Sequence, residues 1–146
     1  HKEYRRQRQM CIRDSPTLEN ILYDPIKRRI VFIDLYEEGI VDSKFMDFSQ
    51  VLQCSNSHYG MHNDANIHVY GNVTASDAVI PEKLVYFNDH FNDQLRAYYR
   101  QQQCFLVRLF EATQFFRMLP FKCHAGNIAG AKFFYAHACN LVNSLL

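Results

Sequence analysis

The spacing of apolar and polar positions changes twice along this chain, and each change predicts a different element. Between Asn20 and Asp47 the runs are short. Ile21, Leu22 and Tyr23 are β-prone, Asp24-Pro25 with Lys27, Arg28 and Arg29 form a polar turn, and 30–35 is a second, β-branched run. Together they predict a β-hairpin over about 20–35. After a polar linker, 36–43, the segment 44–55 sets Phe45, Phe48, Val51 and Leu52 at helical spacing. The stretch 55–81, broken by Gly60 and Gly71-Asn72, reads as a loop carrying a small irregular hairpin from 67–70 and 78–80.

Three longer segments then repeat apolar residues at steps of three and four. They are 82–100 through Leu84, Phe87, Phe91, Leu95 and Tyr98; 102–118 through Phe105, Leu109, Ala112 and Phe116; and 130–146 through Phe134, Ala138, Leu141 and Leu145. Each predicts an amphipathic helix with its aromatic stripe in a core. Arg117, Lys122 and Pro120 mark the expected end of the middle one, since cations suit a helix C-terminus and proline lacks the donor to continue. The expected fold class is therefore α+β and mostly helical, a hairpin followed by a helical bundle.

Composition bounds the function classes. With 146 residues, 48% hydrophobic and 14% aromatic, the chain can bury one domain core. No stretch approaches the roughly 20 apolar residues of a membrane span and no signal-peptide core follows the basic start, so a cytoplasmic protein with no membrane partner is expected. The net charge of +1 hides an asymmetry: residues 1–15 hold five basic and two acidic groups, leaving 11 basic against 13 acidic in the remainder. Without a basic stripe in the body, nucleic acid is not an expected partner. Five cysteines, odd in number and widely spaced, fit neither a disulfide framework nor a C-x-x-C zinc site, and are expected as buried, reduced thiols. His58 and His62 stand at i, i+4, a zinc spacing on a helix, but Gly60 lies between them and no H-E-x-x-H glutamate is present, so structural or surface roles are expected.

The candidate chemistry sits in the hairpin. Asn20 opens the first strand and Asp34 closes the second, and antiparallel pairing brings such ends together. A carboxylate and an amide at one point suit Mg²⁺, which takes one or two protein oxygens and completes its shell with water and nucleotide phosphates. Asp47, near the start of the next helix, suits the helix dipole and can brace backbone amides.

These residues, PTLENILYD followed by RRIVFIDL and MDFSQVL, resemble the C-terminal lobe of the kinase-like small-molecule phosphotransferases, the group of aminoglycoside phosphotransferases, choline kinases and many bacterial capsule-locus proteins. That family has a catalytic loop H-G-D-x-x-x-x-N, a strand pair ending in I-D, and a helix beginning D-[LF]. The resemblance covers 16–53. It implies that Asn20 and Asp34 bind Mg²⁺ and ATP, that Asp47 buttresses the loop, and that Tyr59, His62, Asp64 and Tyr70 border the acceptor pocket. The chain departs from the pattern just upstream. The family's catalytic aspartate falls at position 15, where this chain has Ser15, and Asp14 is one residue out of register, about 3.8 Å along the chain.

Residues 10–15, MCIRDS, are what a transposon end used in sequencing libraries encodes in one frame, so 1–15 is expected to be a non-native tail and 16–146 a kinase-like C-lobe without its N-lobe. The expected function is ATP-dependent phosphorylation of a hydroxyl on a sugar, aminoglycoside or amino alcohol, with this fragment inactive. Two alternatives stand beside it: a non-catalytic pseudokinase-like binding or capsule-assembly module, and a hydrolase using Asp34 and the histidines with a transition metal.

Overall fold

Ser43 begins the first long helix, its hydroxyl accepting the Phe45 backbone N–H at 3.3 Å. The computed structural model describes residues 17–33 and 43–146. In chain order they form a 3-10 turn at Leu18–Asn20, β1 (Ile21–Asp24), β2 (Arg29–Phe32), α1 (Lys44–Ser55), α2 (Tyr59–Asp64), β3 (Ile67–Tyr70), β4 (Val73–Ser76), α3 (Glu82–Tyr98), α4 (Gln101–His124) and α5 (Ile128–Asn143). This is an α+β, mostly helical fold with two small antiparallel hairpins. Among the described residues no helix is long and apolar enough to cross a membrane.

The first hairpin has the expected turn. Asp24 Oδ1 accepts the backbone N–H groups of Ile26 and Lys27, each at 3.1 Å, and Arg28 takes the left-handed conformation (φ 48°) that reverses the chain. Pairing runs from Asp24↔Arg29 to Ile21↔Phe32. One further bond, Ile33 N–H to the Asn20 carbonyl at 2.9 Å, continues the ladder to the open end.

Helix α1 has the expected bounds but a different burial. Every side chain from Ser49 to Ser55 is buried rather than one face, because α4, α3, α2 and the 3-10 turn all pack around it. The stretch expected to be a loop contains α2. Gly60 does not break that turn; a Cβ there would come within 3.2 Å of Glu19 Oε1, so glycine leaves room for the Leu18–Asn20 turn to approach. The second hairpin also differs from expectation, pairing Ile67–Tyr70 with Val73–Ser76 rather than with 78–80. Gly71, at φ 61°, opens a two-residue turn that starts the return strand at once, and Asp77 ends it by accepting the Asn66 backbone and side-chain N–H groups at 2.8 Å each.

Helix α4 passes through Pro120 instead of stopping there. Met118 and Leu119 pack against the main core cluster, which holds the turn helical although proline removes one backbone bond. The true stop is Gly126 at φ 71°: its N–H donates to Cys123 O at 3.0 Å, and Asn127 N–H donates to Lys122 O at 2.9 Å, the paired bonds of a glycine C-cap. Pro120→Ala is expected to raise stability by about 1 kcal/mol, the regained helical bond being partly offset by a freer unfolded chain. Denaturant unfolding of the two proteins checks this; an unchanged or lower midpoint would mean that Pro120 fits its turn without strain.

The core has two parts sharing α4. Ala112 and Phe115 join Phe133, Phe134, Ala138 and Leu141 of α5, while Leu52, Leu95 and Val107 form a smaller cluster flanked by Phe48, Phe91 and Tyr99. The stripe expected on α4 is displaced. Phe105 and Phe116 are exposed, and the buried face is Val107, Glu111, Ala112, Gln114 and Phe115. On α3 only Leu95 is fully buried; Phe87 and Tyr98 of the expected stripe are exposed. Cys54 is buried as expected, whereas Cys123 is exposed; these two, Cys104 and Cys139 are free thiols.

Candidate functional site

Asn20 closes the 3-10 turn, its backbone N–H donating to Thr17 O at 2.9 Å, and the chain straightens into β1 immediately afterwards. Its half-buried side chain stands at the open end of the hairpin, next to the last ladder rung with Ile33. Asp34, Asp14 and Ser15 lie outside the described residues. Asp47 occupies the first turn of α1 and is half-buried there. The turn bearing Asn20 is seated on α1 at Cys54: burial pushes the Cys54 thiol up, with the Leu18 backbone hydrogen bond opposing and the Glu19 charge adding to the shift. An amide at such a mouth fits a cation that draws its remaining ligands from phosphate and water.

Of the residues expected at an acceptor pocket, Asp64 and Tyr70 are exposed. Tyr59 and His62 turn inward instead. The Tyr59 ring lies 5.5 Å from that of Phe134, and the His62 ring 4.8 Å from that of Phe133, because the short helix α2 lays this face on α5.

With α2 helical, His58 and His62 do share a side, their rings 6.2 Å apart, and α5 adds His137 at 6.2 Å from His62. His62 Nδ1 is 2.9 Å from Ser76 Oγ on β4. His137 sits 4.8 Å from the Phe115 ring and stacks on Phe133, with Nε2 buried and unpaired. Burial lowers the pKa of all three; for His137, burial followed by the neighbouring His62, His58 and Arg108 brings it to about 4. Among the described residues no three His, Cys, Asp or Glu side chains converge as a metal site. The cluster is a neutral, aromatic-lined joint between α2 and α5, matching the structural role expected for His58 and His62.

The sequence did not foresee a carboxylate buried on α4. Glu111 of α4 is 0% exposed, and its Oε1 accepts Ser57 Oγ–H at 2.5 Å and Asn56 Nδ2–H at 2.8 Å. Arg108 Nη1 is 2.9 Å from Oε2, but off the hydrogen-bond axis, so that oxygen has charge compensation without an aligned donor. Burial raises the Glu111 pKa, opposed by Arg108, Ser57 and Asn56. Arg108 and Asn56 line a cleft of about 530 Å³ between α3 and α4, together with Asn88, Asp89, Asn92, Asp93, Leu95, Arg96 and Cys104. A signal for it stands in the sequence: Asn88-Asp89 and Asn92-Asp93 repeat at four residues, which sets two amides and two carboxylates along one side of α3. Comparison with family models, with curated proteins and with solved structures finds no match to this chain.

Proposed function

We propose that the chain is the C-terminal lobe of a phosphotransferase that moves the γ-phosphoryl of ATP to a hydroxyl of a small sugar, aminoglycoside or amino alcohol. The observation carrying this reading is the order of parts: a 3-10 turn ending in Asn20, a hairpin whose last rung joins Asn20 to Ile33, and a buried helix with Asp47 in its first turn. In this reading Asn20 and Asp34 hold Mg²⁺, which when bound neutralises charge on the transferring phosphates. The Leu18–Asn20 turn, seated on α1, fixes where Asn20 sits. Phosphoryl transfer depends on such positioning more than on covalent chemistry.

Calorimetric titration of this chain with ATP and Mg²⁺ should give weak or no binding, because the grip on adenine and on the α- and β-phosphates belongs to the other lobe in this reading. The full-length protein, with H-G-D ahead of Pro16, should turn over ATP against a panel of sugars, aminoglycosides and amino alcohols, and Asp34→Asn should abolish that turnover. Tight ATP binding by this chain alone, or no turnover by the full-length protein, would overturn the reading. Ser15 at the position of the family's base favours a second one, a non-catalytic binding module. Finding serine there in the genomic sequence would select it.

A further inference from the structure

We infer that the apex of the first hairpin, Ile26 with Lys27 and Arg28, docks on the surface of a lipid bilayer that carries anionic headgroups. A peripheral contact of this kind needs no membrane-crossing helix, and none is present among the described residues; it departs from the expectation of no membrane partner. The apex is well removed from Asn20. Strands β1 and β2 pair over four residues each, which sets the turn roughly 14 Å from the rung that joins Asn20 to Ile33.

A lone exposed isoleucine would mean little, but Ile26, at 91% exposure, continues into Tyr23 and Ile30, 63% and 61% exposed and paired across the strands. Ile21 and Phe32, the pair two residues further on, share that face. The turn is held in one shape. Asp24 Oδ1 accepts the Ile26 and Lys27 backbone N–H groups, so Ile26 is presented in a preformed turn and its ordering costs binding little. Beyond their pairing with each other, β1 and β2 make no extensive contact with another described element, which leaves the apex projecting.

Charge names the partner. Residues 24–29 carry three cations against one carboxylate, and that carboxylate is engaged by the turn amides and by Arg29 Nε at 3.7 Å. Lys27 and Arg28 are exposed and form no ion pair among the described residues. Cations beside an apolar apex match a bilayer boundary, where Ile26 enters the acyl zone, Lys27 and Arg28 stay among the anionic headgroups and Tyr23 sits between. A protein partner fits less well. A peptide strand would pair along an edge of the hairpin, whereas Ile26 and the free cations stand at its tip, and a convex tip offers no groove for a helix. Fluid lipid closes around such a tip from every side.

The chain has no tryptophan, so Ile26→Trp places a single fluorescent reporter at the apex of the intact protein. With vesicles of phosphatidylcholine and phosphatidylglycerol its emission should shift to the blue and be quenched by brominated acyl chains; phosphatidylcholine alone should do neither. In co-sedimentation with the anionic vesicles, Lys27→Gln combined with Arg28→Gln should weaken binding roughly twenty-five-fold, at about fivefold per cation. Ile26→Ser should weaken it about tenfold. Changing Lys2, Arg5 and Arg6 to Gln, which removes cations of the basic start and leaves the hairpin intact, should preserve most of the binding. Any of the following would overturn the inference: no binding to anionic vesicles, a reporter that stays in water on vesicles the chain does bind, apex variants that bind like the parent, binding lost with the Lys2, Arg5 and Arg6 changes alone, or soluble polyglutamate bound as tightly as the vesicles.

Discussion

Glu111→Ala is expected to lower stability by about 3–5 kcal/mol, the range for removing one member of a buried ion pair. The loss has three parts. Arg108 keeps its charge without a partner, and the Ser57 hydroxyl and the Asn56 amide lose the oxygen that accepts from both. Against a typical stability of about 5–15 kcal/mol this is a large fraction. Glu111→Gln should cost less, since an amide oxygen still accepts from Ser57 and Asn56. Exchanging both Glu111 and Arg108 for leucine should recover part of the loss, because apolar replacement of a whole buried pair is often neutral. Urea unfolding of the four proteins checks the order; a Glu111→Ala midpoint within about 1 kcal/mol of the parent would show that water enters and solvates the pair.

Glu111 also explains where the sequence misleads. The expected stripe on α4 took Phe105, Leu109, Ala112 and Phe116 as the inner face because they are apolar at the right spacing. The actual inner face carries Glu111 and Gln114, two polar groups buried because partners on α1 and beyond await them: Ser57 and Asn56 for one, Ser49 for the other at 3.1 Å. Periodicity records apolar positions only, so a helix whose polar groups are satisfied across an interface is rotated in such a reading. The hairpin and α1 were legible because their signals are local: Asp24-Pro25 for the turn, and Phe45, Phe48, Val51 and Leu52 at helical spacing for the helix. Pro120 and Gly60 misled for the opposite reason, as tertiary packing outweighed the local preference of each.

The site shows the same division. Asn20 falls at the hairpin mouth because strand pairing over a few residues fixes it, and that pairing is written in the apolar run on each side. The inward turn of Tyr59 and His62 could not be read, since it depends on α5, about 70 residues later, presenting Phe133 and Phe134 to α2. The α3–α4 cleft had only the repeated Asn-Asp pair as a trace, and its lining also draws Asn56 from a distant part of the chain.

Acidification should destabilise the fold through the histidine joint. His137 has its pKa lowered from 6.5 to about 4, so the unfolded chain binds the proton more readily than the folded one across that interval. Its contribution is complete above pH 6.5 and is lost as pH falls toward 4. The lowered pKa values of His58 and His62 act in the same direction. The charges that shift His137 are those of His62, His58 and Arg108, with no carboxylate among them, so a proton there meets repulsion as well as an apolar surround. The full shift corresponds to about 3 kcal/mol, and solvent screening around a ring that is only half-buried brings the expected loss to about 2 kcal/mol. Glu111 works against this trend, since a carboxyl with a raised pKa contributes most below its ordinary value of 4.5 and loses that contribution as pH rises through its folded value. His137→Phe separates the two: it keeps an aromatic ring against Phe115 and Phe133, removes the titrating group and leaves Glu111 in place. The parent should lose more stability between pH 7 and pH 4.5 than His137→Phe, in which only the smaller losses from His58 and His62 remain against the gain from Glu111. Equal slopes for the two proteins would mean that His137 is protonated within the fold without disturbing the α2–α5 joint.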